Sequence, residues 1–119
     1  MENLKVSLIG APTDVGAGVR GASMGPEAMR VAGLGRAIAA FGADVRDCGN
    51  LSGPSNPELS AVEGFRHLAE VAQWNRAVHD AVHAELADGR VPVMLGGDHC
   101  LAIGSISAVA RHCREHGRK

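Results

Sequence analysis

The spacing of apolar and polar residues along the chain predicts three short strands. Residues 5–9 and 91–95 are largely apolar runs, as in strands that helices cover on both faces of a sheet. Residues 43–48 alternate between apolar and polar side chains, which predicts a strand at a sheet edge. Helical patterns lie between these runs, and the alternation of strand and helix indicates a three-layer α/β/α architecture with a parallel sheet.

Three helical segments are predicted. The first, residues 26–41, is interrupted by two glycines, so two short helices fit it as well as one. The second covers residues 60–88, because Ser60 and Glu63 have the spacing of a capping box, and its pattern is strongest from residue 66 onward. The last covers residues 101–114. The second helix carries an apolar stripe, which consists of Val71, Trp74, Val78, Val82 and Leu86.

The amino-acid composition of the chain limits the classes of function that it can have. The 119 residues suit one domain or part of a larger one, and an apolar content of 45% disfavours disorder. A net charge of −1, 3% aromatic residues and no Tyr give no basis for binding nucleic acid or an anionic membrane. No apolar run approaches the roughly 20 residues that span a bilayer, and the N-terminus lacks the shape of a signal peptide. Three widely spaced cysteines disfavour a disulfide framework and fit a reducing cytoplasm.

The strongest chemical signal is the tetrapeptide Gly-Gly-Asp-His at residues 96–99, at the carboxyl end of the third predicted strand. Ligands of open α/β sheets bind beyond the carboxyl ends of strands, and two glycines allow a sharp turn. His99 is therefore a candidate metal ligand, with Asp98 beside it in a supporting position. A plain strand-to-helix turn, in which Asp98 caps the following helix, fits the same residues.

A second glycine pattern imitates a dinucleotide-binding fingerprint. Residues 16–21 fit G-x-G-x-x-G, and Asp47 ends the next predicted strand. The context disfavours this interpretation, because the first glycine of a fingerprint follows its strand directly and the last lies in the opening helix. Gly16 instead lies six residues beyond Gly10. A flexible Gly-rich loop is the simpler interpretation.

Other polar residues have weaker patterns. His79 with His83, and His112 with His116, have the i, i+4 spacing of a helical metal pair, yet a solvated helix face explains both pairs more simply. Asp14 and Arg20 lie in the loop after the first strand. Contact with a substrate, ordering of the site, a structural salt bridge and plain solvation all fit these two residues.

Taken together, three parts of the chain resemble the arginase family of ureohydrolases. Residues 9–12 (I-G-A-P) and 25–34 (G-P-E-A-M-R-V-A-G-L) are similar to the family's opening strand and first helix. Residues 47–51 (D-C-G-N-L) are similar to the end of its second strand, and residues 93–106 match its G-G-D-H-S-x-A-I-G block. The resemblance covers nearly the whole chain.

This resemblance implies a metal-dependent chemistry. Arginases hydrolyse L-arginine to L-ornithine and urea with two Mn(II) ions, which activate water for attack on the guanidinium carbon. The histidine of the family's G-G-D-H motif ligates one ion, so that role falls on His99, with Asp98 supporting it. Cys100 stands where the family usually has Ser. The family's D-A-H-x-D and D-x-D-x-x-D motifs, which supply carboxylate ligands, do not occur in residues 1–119.

We therefore expect residues 1–119 to be the N-terminal part of a single arginase-type domain, and the basic tail at residues 114–119 to be of the kind that leads into another strand. Alone, this part is expected to bind Mn(II) weakly or not at all and to be inactive. An agmatinase or another guanidino-substrate ureohydrolase, and a non-catalytic truncated assembly segment, are the alternatives. The opening around Met24 and Ala32 favours arginine.

The resemblance also implies an arrangement of strands and subunits. In the family, the first three strands lie side by side in the order second, first, third. The edge beyond the third strand would be open here, so we expect exposed apolar surface there and a tendency to self-associate. Related enzymes form trimers or hexamers, which makes a homo-oligomer the expected state of a full-length protein.

Overall fold

The computed structural model describes residues 3–119. This part of the chain forms three strands and four α-helices, and short 3-10 helices at Ala22–Met24 and His99–Leu101 precede the first and last α-helix. The elements are, in chain order, β1 Lys5–Ala11, α1 Gly25–Val31, α2 Leu34–Ala40, β2 Asp44–Asn50, α3 Leu68–Ala87, β3 Val91–Gly96 and α4 Ala102–Glu115.

The sheet is parallel and has the order β2-β1-β3, as the resemblance implied. β1 is central: Val6 pairs with Val45 on one side and with Val91 on the other. The register with β3 continues without a break to Ala11 and Gly96, so the carboxyl ends of β1 and β3 lie together. The prediction of an edge position for the second strand is confirmed.

Helices cover both faces of the sheet and complete the three predicted layers. On one face, Ile9 and Ala11 of β1 pack against the α3 stripe and against Leu101 and Ala108. On the other face, Val6 and Leu8 of β1 and Leu95 of β3 pack against α2. The alternation of β1 side chains between these two cores follows from the two-residue period of a strand. The stripe residues Trp74, Val78 and Val82 are all buried.

Two helical predictions have different outcomes. The interrupted first helix is two helices, separated where Gly33 adopts a left-handed φ of 87°. The capping box at Ser60 and Glu63 is wrong, because α3 begins only at Leu68. Val62 and Phe65 exchange two backbone hydrogen bonds, of 2.8 and 2.9 Å, and close a tight turn where the first helical turn was expected.

A buried polar network fastens β1 to its neighbours. Arg90, just before β3, donates from Nε to the Ser7 hydroxyl at 2.7 Å and from Nη2 to the Val6 carbonyl at 2.7 Å. The Ser7 hydroxyl in turn donates to Glu85 of α3. Ser7 is fully buried among the apolar residues 6–11 of β1, and these partners satisfy its hydrogen-bonding groups.

The third strand lies at the other edge of the sheet, so its apolar residues are only half covered. Beside it, α4 exposes Ile103 and Ile106, which are 62% and 67% accessible. A cavity of about 480 Å³ opens between α4 and β3, bordered by Met94, Ile106 and other apolar residues. The predicted exposed apolar surface at this edge is confirmed. None of the helices in residues 3–119 combines the length and apolarity that crossing a bilayer requires.

Candidate functional site

The candidate site is built on the turn that follows β3. Leu95 anchors the end of the strand in the core, and the chain then reverses through Gly96 and Gly97. Gly97 has a left-handed φ of 86°, and a side chain there would meet the Ala11 carbonyl oxygen at 2.5 Å. Only glycine fits this position, because both the backbone angle and the space exclude a Cβ atom. The turn therefore brings the next two residues to the carboxyl edge of the sheet.

Asp98 holds this turn in place through its backbone and its side chain. Its amide donates to the Thr13 carbonyl at 3.1 Å. One carboxylate oxygen accepts from the Cys100 amide at 2.9 Å, and the other accepts from the Gly16 amide at 2.7 Å. Capping by Asp98 is thus present, and the same carboxylate also fastens the loop after β1 to the end of β3. The link to Gly16 was not predicted.

His99 is the exposed residue of the turn. It opens the 3-10 helix before α4, and with Asp98 and Met94 it borders a cavity of about 260 Å³. Among residues 3–119, no three His, Cys, Asp or Glu side chains are grouped as metal ligands. The donor that this part of the fold offers is one imidazole, which fits a single coordination position of a divalent metal.

Cys100 lies behind His99, against the loop after β1. A side chain at Gly16 would meet the Cys100 sulfur at 3.0 Å, so the thiol fills the space beside this glycine. Burial, with a further contribution from the Asp98 carboxylate, raises the pKa of the Cys100 thiol to about 12. The raised pKa keeps the thiol protonated at neutral pH, and the side chain packs against the backbone at Gly16.

The loop between β1 and α1 is ordered by Asp14, which is only 4% exposed. Its carboxylate accepts from the Gly21 amide at 3.1 Å and from the Asn56 side-chain amide at 2.9 Å. The Asn56 hydrogen bond is the largest cause that holds the pKa of Asp14 below its ordinary value of 3.8. Arg20, by contrast, points outward and pairs with Glu58 at 2.6 Å. Of the roles considered for these two residues, loop ordering fits Asp14 and a surface ion pair fits Arg20.

His67 connects the loop after β1 to the segment that precedes α3. It is buried and has a left-handed φ of 48°. Its Nδ1 lies 2.7 Å from the Val15 carbonyl oxygen, and its Nε2 accepts from the Leu59 amide at 3.1 Å. Neither His67 nor Asn56 was predicted to matter, since their partners are distant in sequence and no local pattern marks them.

The Gly-rich pattern and the two His pairs lie outside the turn that carries His99. Residues 16–21 lie in a loop, and Gly21 caps the short 3-10 helix Ala22–Met24 that precedes α1. No glycine of the pattern lies within α1, which agrees with the loop interpretation. The two His pairs are not simply solvated. His83 Nε2 lies 2.8 Å from Glu115 across the α3–α4 contact, and the His112 Nδ1 is buried. Burial, followed by the charge of His116, lowers the pKa of His112.

A comparison with family models assigns nearly the whole chain. Residues 4–118 match the model described as the Arginase family. The arginase of Brevibacillus brevis is 35% identical over 115 residues, which are 97% of this chain and 39% of that protein. The chain thus spans about two fifths of the length of the curated relatives it matches.

Solved structures agree with the sequence comparison. The native arginase of Bacillus caldovelox superposes with a TM-score of 0.83 at 37% identity, covering 92% of this chain and 37% of that chain. The arginase of Bacillus cereus gives a TM-score of 0.78 at 39% identity, covering 91% and 35%. Both structures share the parallel sheet and its helical layers with the present chain, which corresponds to one part of their fold.

Proposed function

The chain belongs to the arginase family, and we propose that it contributes one metal ligand, the imidazole of His99, to an arginase-type active site. The observation that carries this proposal is the geometry of the turn after β3. Both carboxylate oxygens of Asp98 accept hydrogen bonds from backbone amides, and these bonds fix the position of the backbone at His99. The imidazole is left exposed at the carboxyl edge of the sheet, where such folds bind ligands.

The proposed metal is Mn(II), with two ions in the complete site. Such ions, when bound, lower the pKa of water and supply a nucleophile at neutral pH. His99 would hold one ion through a ring nitrogen. Asp98 would position that ring through the backbone, because each of its oxygens accepts a hydrogen bond from a backbone amide. Hard divalent ions also require several oxygen ligands, and residues 3–119 contain no group of three or more His, Cys, Asp or Glu side chains that could hold a metal.

The proposed reaction is hydrolysis of L-arginine to L-ornithine and urea by a polypeptide that completes the site. On its own, this chain is proposed to be inactive, because one imidazole does not hold two ions. Three free cysteines suit a cytoplasmic location, and a homo-oligomer is the proposed state of the complete enzyme. Agmatine is the competing substrate, and the names of the curated relatives support arginine.

Urea release and Mn(II) binding by the purified chain test this proposal. With L-arginine or agmatine and excess Mn(II), no urea is expected above the protein-free blank. A Mn(II) titration followed by electron paramagnetic resonance is expected to show weak binding that His99→Ala removes. His116→Ala, which follows the far end of α4, is the matched control and is expected to leave the titration unchanged. Steady urea release by the chain alone would overturn the proposal that this chain supplies only one ligand of the active site.

A further inference from the structure

One peptide unit in the loop after β1 is held on both sides by side chains that are distant in sequence. Nδ1 of His67 lies 2.7 Å from the Val15 carbonyl oxygen. The Gly16 amide, which belongs to the same peptide unit, donates to the Asp98 carboxylate at 2.7 Å. Because a peptide unit is planar and almost always trans, its carbonyl and amide groups point in opposite directions. A contact that orients the Val15 carbonyl therefore also orients the amide that donates to Asp98.

His67 itself has a fixed position. It is buried, and as the N-cap residue of α3 it accepts a hydrogen bond from the Val71 amide at 2.9 Å through its backbone carbonyl. Since a carbonyl oxygen only accepts hydrogen bonds, Nδ1 donates to Val15, and Nε2 then accepts from the Leu59 amide at 3.1 Å. Each ring nitrogen has a partner, so the ring does not turn without the loss of a hydrogen bond.

Apolar packing alone does not set the rotation of this peptide unit. The Val15 side chain is fully buried in the same core as the α3 stripe, and this fixes where the residue lies. Apolar contacts have no direction, however, so a rotated peptide would keep Val15 buried and would turn the Gly16 amide away from Asp98. The hydrogen bond from His67 opposes that rotation, because such bonds weaken steeply when they are bent. It also polarises the peptide, which strengthens the Gly16 amide as a donor.

We propose that His67 is a positioning residue for His99, which it reaches through the peptide unit of residues 15–16 and the Asp98 carboxylate. The second oxygen of that carboxylate accepts from the Cys100 amide at 2.9 Å, so a displaced carboxylate displaces the 3-10 helix that begins at His99. His67 touches neither metal nor substrate in this arrangement. Its importance for metal binding rests on the proposed function, whereas its hold on the loop after β1 does not.

Two substitutions at His67 test the hydrogen bond to Val15 rather than the presence of a ring. Asn and Asp have the same shape, both tolerate the left-handed φ of 48°, and both suit the N-cap of a helix. His67→Asn keeps an N–H donor as far from the backbone as Nδ1, whereas His67→Asp offers only acceptors when it is ionised. Val6→Ala removes buried apolar volume at the other end of β1 and is the control for a loss of stability alone.

Amide hydrogen exchange of the full chain, followed by nuclear magnetic resonance, measures the contact without a metal. In His67→Asp, the Gly16 and Cys100 amides are expected to exchange at least about tenfold faster than in the wild type, because a peptide that is not held opens more often. His67→Asn is expected to keep both rates within about threefold of the wild type. The Leu51 amide, which donates to the Gly10 carbonyl at 2.8 Å, is an internal reference that neither substitution is expected to change.

Mn(II) alone is the probe of the consequence for His99, since this paramagnetic ion broadens the signals of a ring that binds it. His67→Asp is expected to need about ten times more Mn(II) than the wild type for the same broadening, and His67→Asn is expected to match the wild type. The proposal is overturned if Gly16 exchanges equally in the two variants, if Val6→Ala reproduces the effect of His67→Asp, or if Mn(II) broadens His99 equally in the wild type and both His67 variants. A wild-type chain without broadening contradicts the proposed function instead, and the exchange rates then decide the role of His67.

Discussion

At the scale of single residues, Asp98 determines where His99 stands. Its carboxylate accepts hydrogen bonds from amides that precede it by 82 residues and follow it by two. The first bond joins the loop after β1 to the turn after β3, and the second begins the 3-10 helix that contains His99. A charged acceptor with two backbone donors contributes more than a neutral hydrogen bond. Asp98 is therefore a positioning residue for the turn.

Replacing Asp98 with Ala is expected to lower the free energy of unfolding by about 2 kcal/mol, because a cap is lost and the Gly16 amide is left without its acceptor. Urea denaturation followed by circular dichroism measures this change. Asp80→Ala is the control, since the Asp80 side chain is exposed and its hydrogen bond is to the adjacent His79, and its effect is expected to stay within about 0.5 kcal/mol. Equal effects of the two substitutions would contradict the role of Asp98.

The pKa of Asp14 offers a second test at this scale. A carboxyl whose pKa is lowered by folding stabilises the protein fully above its unfolded pKa, and this contribution is lost as the pH falls through the folded pKa. Asn56→Ala removes the largest cause of the lowering, so the pKa of Asp14 is expected to rise toward 3.8. Carboxyl titration by nuclear magnetic resonance measures the shift. Because the folded and unfolded pKa values of Asp14 are then closer, the variant should also lose less stability from this carboxyl as the pH falls below the unfolded pKa. A titration unchanged by Asn56→Ala would show that Asn56 does not hold this carboxylate.

Residues of the site differ in how far sequence reveals them. His99 and Asp98 were found because glycines, a strand end and a metal-binding side chain follow one another within a few positions. His67 was missed because its partner Val15 is 52 residues away. Asn56 likewise acts on Asp14 across 42 residues, from a segment whose composition predicts only a loop. Contacts of this kind depend on the tertiary fold, which no local spacing encodes.

At the scale of elements, the close contact of α3 with α4 sets the direction in which α4 leaves the site. Asn75 of α3 accepts from the Gly104 amide through its side-chain oxygen at 2.7 Å. A side chain at Gly104 would lie 2.4 Å from the Asn75 carbonyl oxygen. Since that neighbour is backbone, the two helices would have to separate to make room. The close packing of α3 against α4 thus explains why the A-I-G part of the motif has a glycine.

Gly104→Ala is expected to destabilise the chain by about 1–3 kcal/mol, because overpacking between two helices outweighs the better helix propensity of Ala. The change is measured by urea denaturation. Ser107→Ala, at an exposed position of the same helix, provides the control and is expected to be neutral or slightly stabilising. A Gly104→Ala protein that is as stable as the wild type would contradict the close approach of α3 and α4.

The bounds of a helix or strand were predictable where its apolar side chains repeat at one spacing. The buried strands and the α3 stripe were found, since each repeats apolar side chains at a single spacing. The start of α3 was missed, because the capping-box spacing of Ser60 and Glu63 competes with a local preference for a tight turn. Gly64 and the left-handed Glu63 favour that turn, and the Val62–Phe65 backbone pair closes it.

At the scale of the whole molecule, the strand order and the layers were predictable by resemblance. The sheet order β2-β1-β3 leaves β3 open, and α4 exposes Ile103 and Ile106 beside it. The pattern of apolar residues alone predicted that helices cover both faces of the third strand, because its residues are apolar on both sides. Full coverage would require further structure next to β3, which fits a chain that spans about two fifths of its relatives.

The central claim is that this chain places His99 as a metal ligand in an arginase-type site. The most direct test replaces the matching segment of the Bacillus caldovelox arginase with residues 4–118, which match the family model. The chimera is expected to release urea from L-arginine with Mn(II). His99→Ala in the chimera is expected to reduce the bound metal and to lower activity at least about tenfold. A folded chimera whose metal content and urea release are unaffected by His99→Ala would contradict the claim.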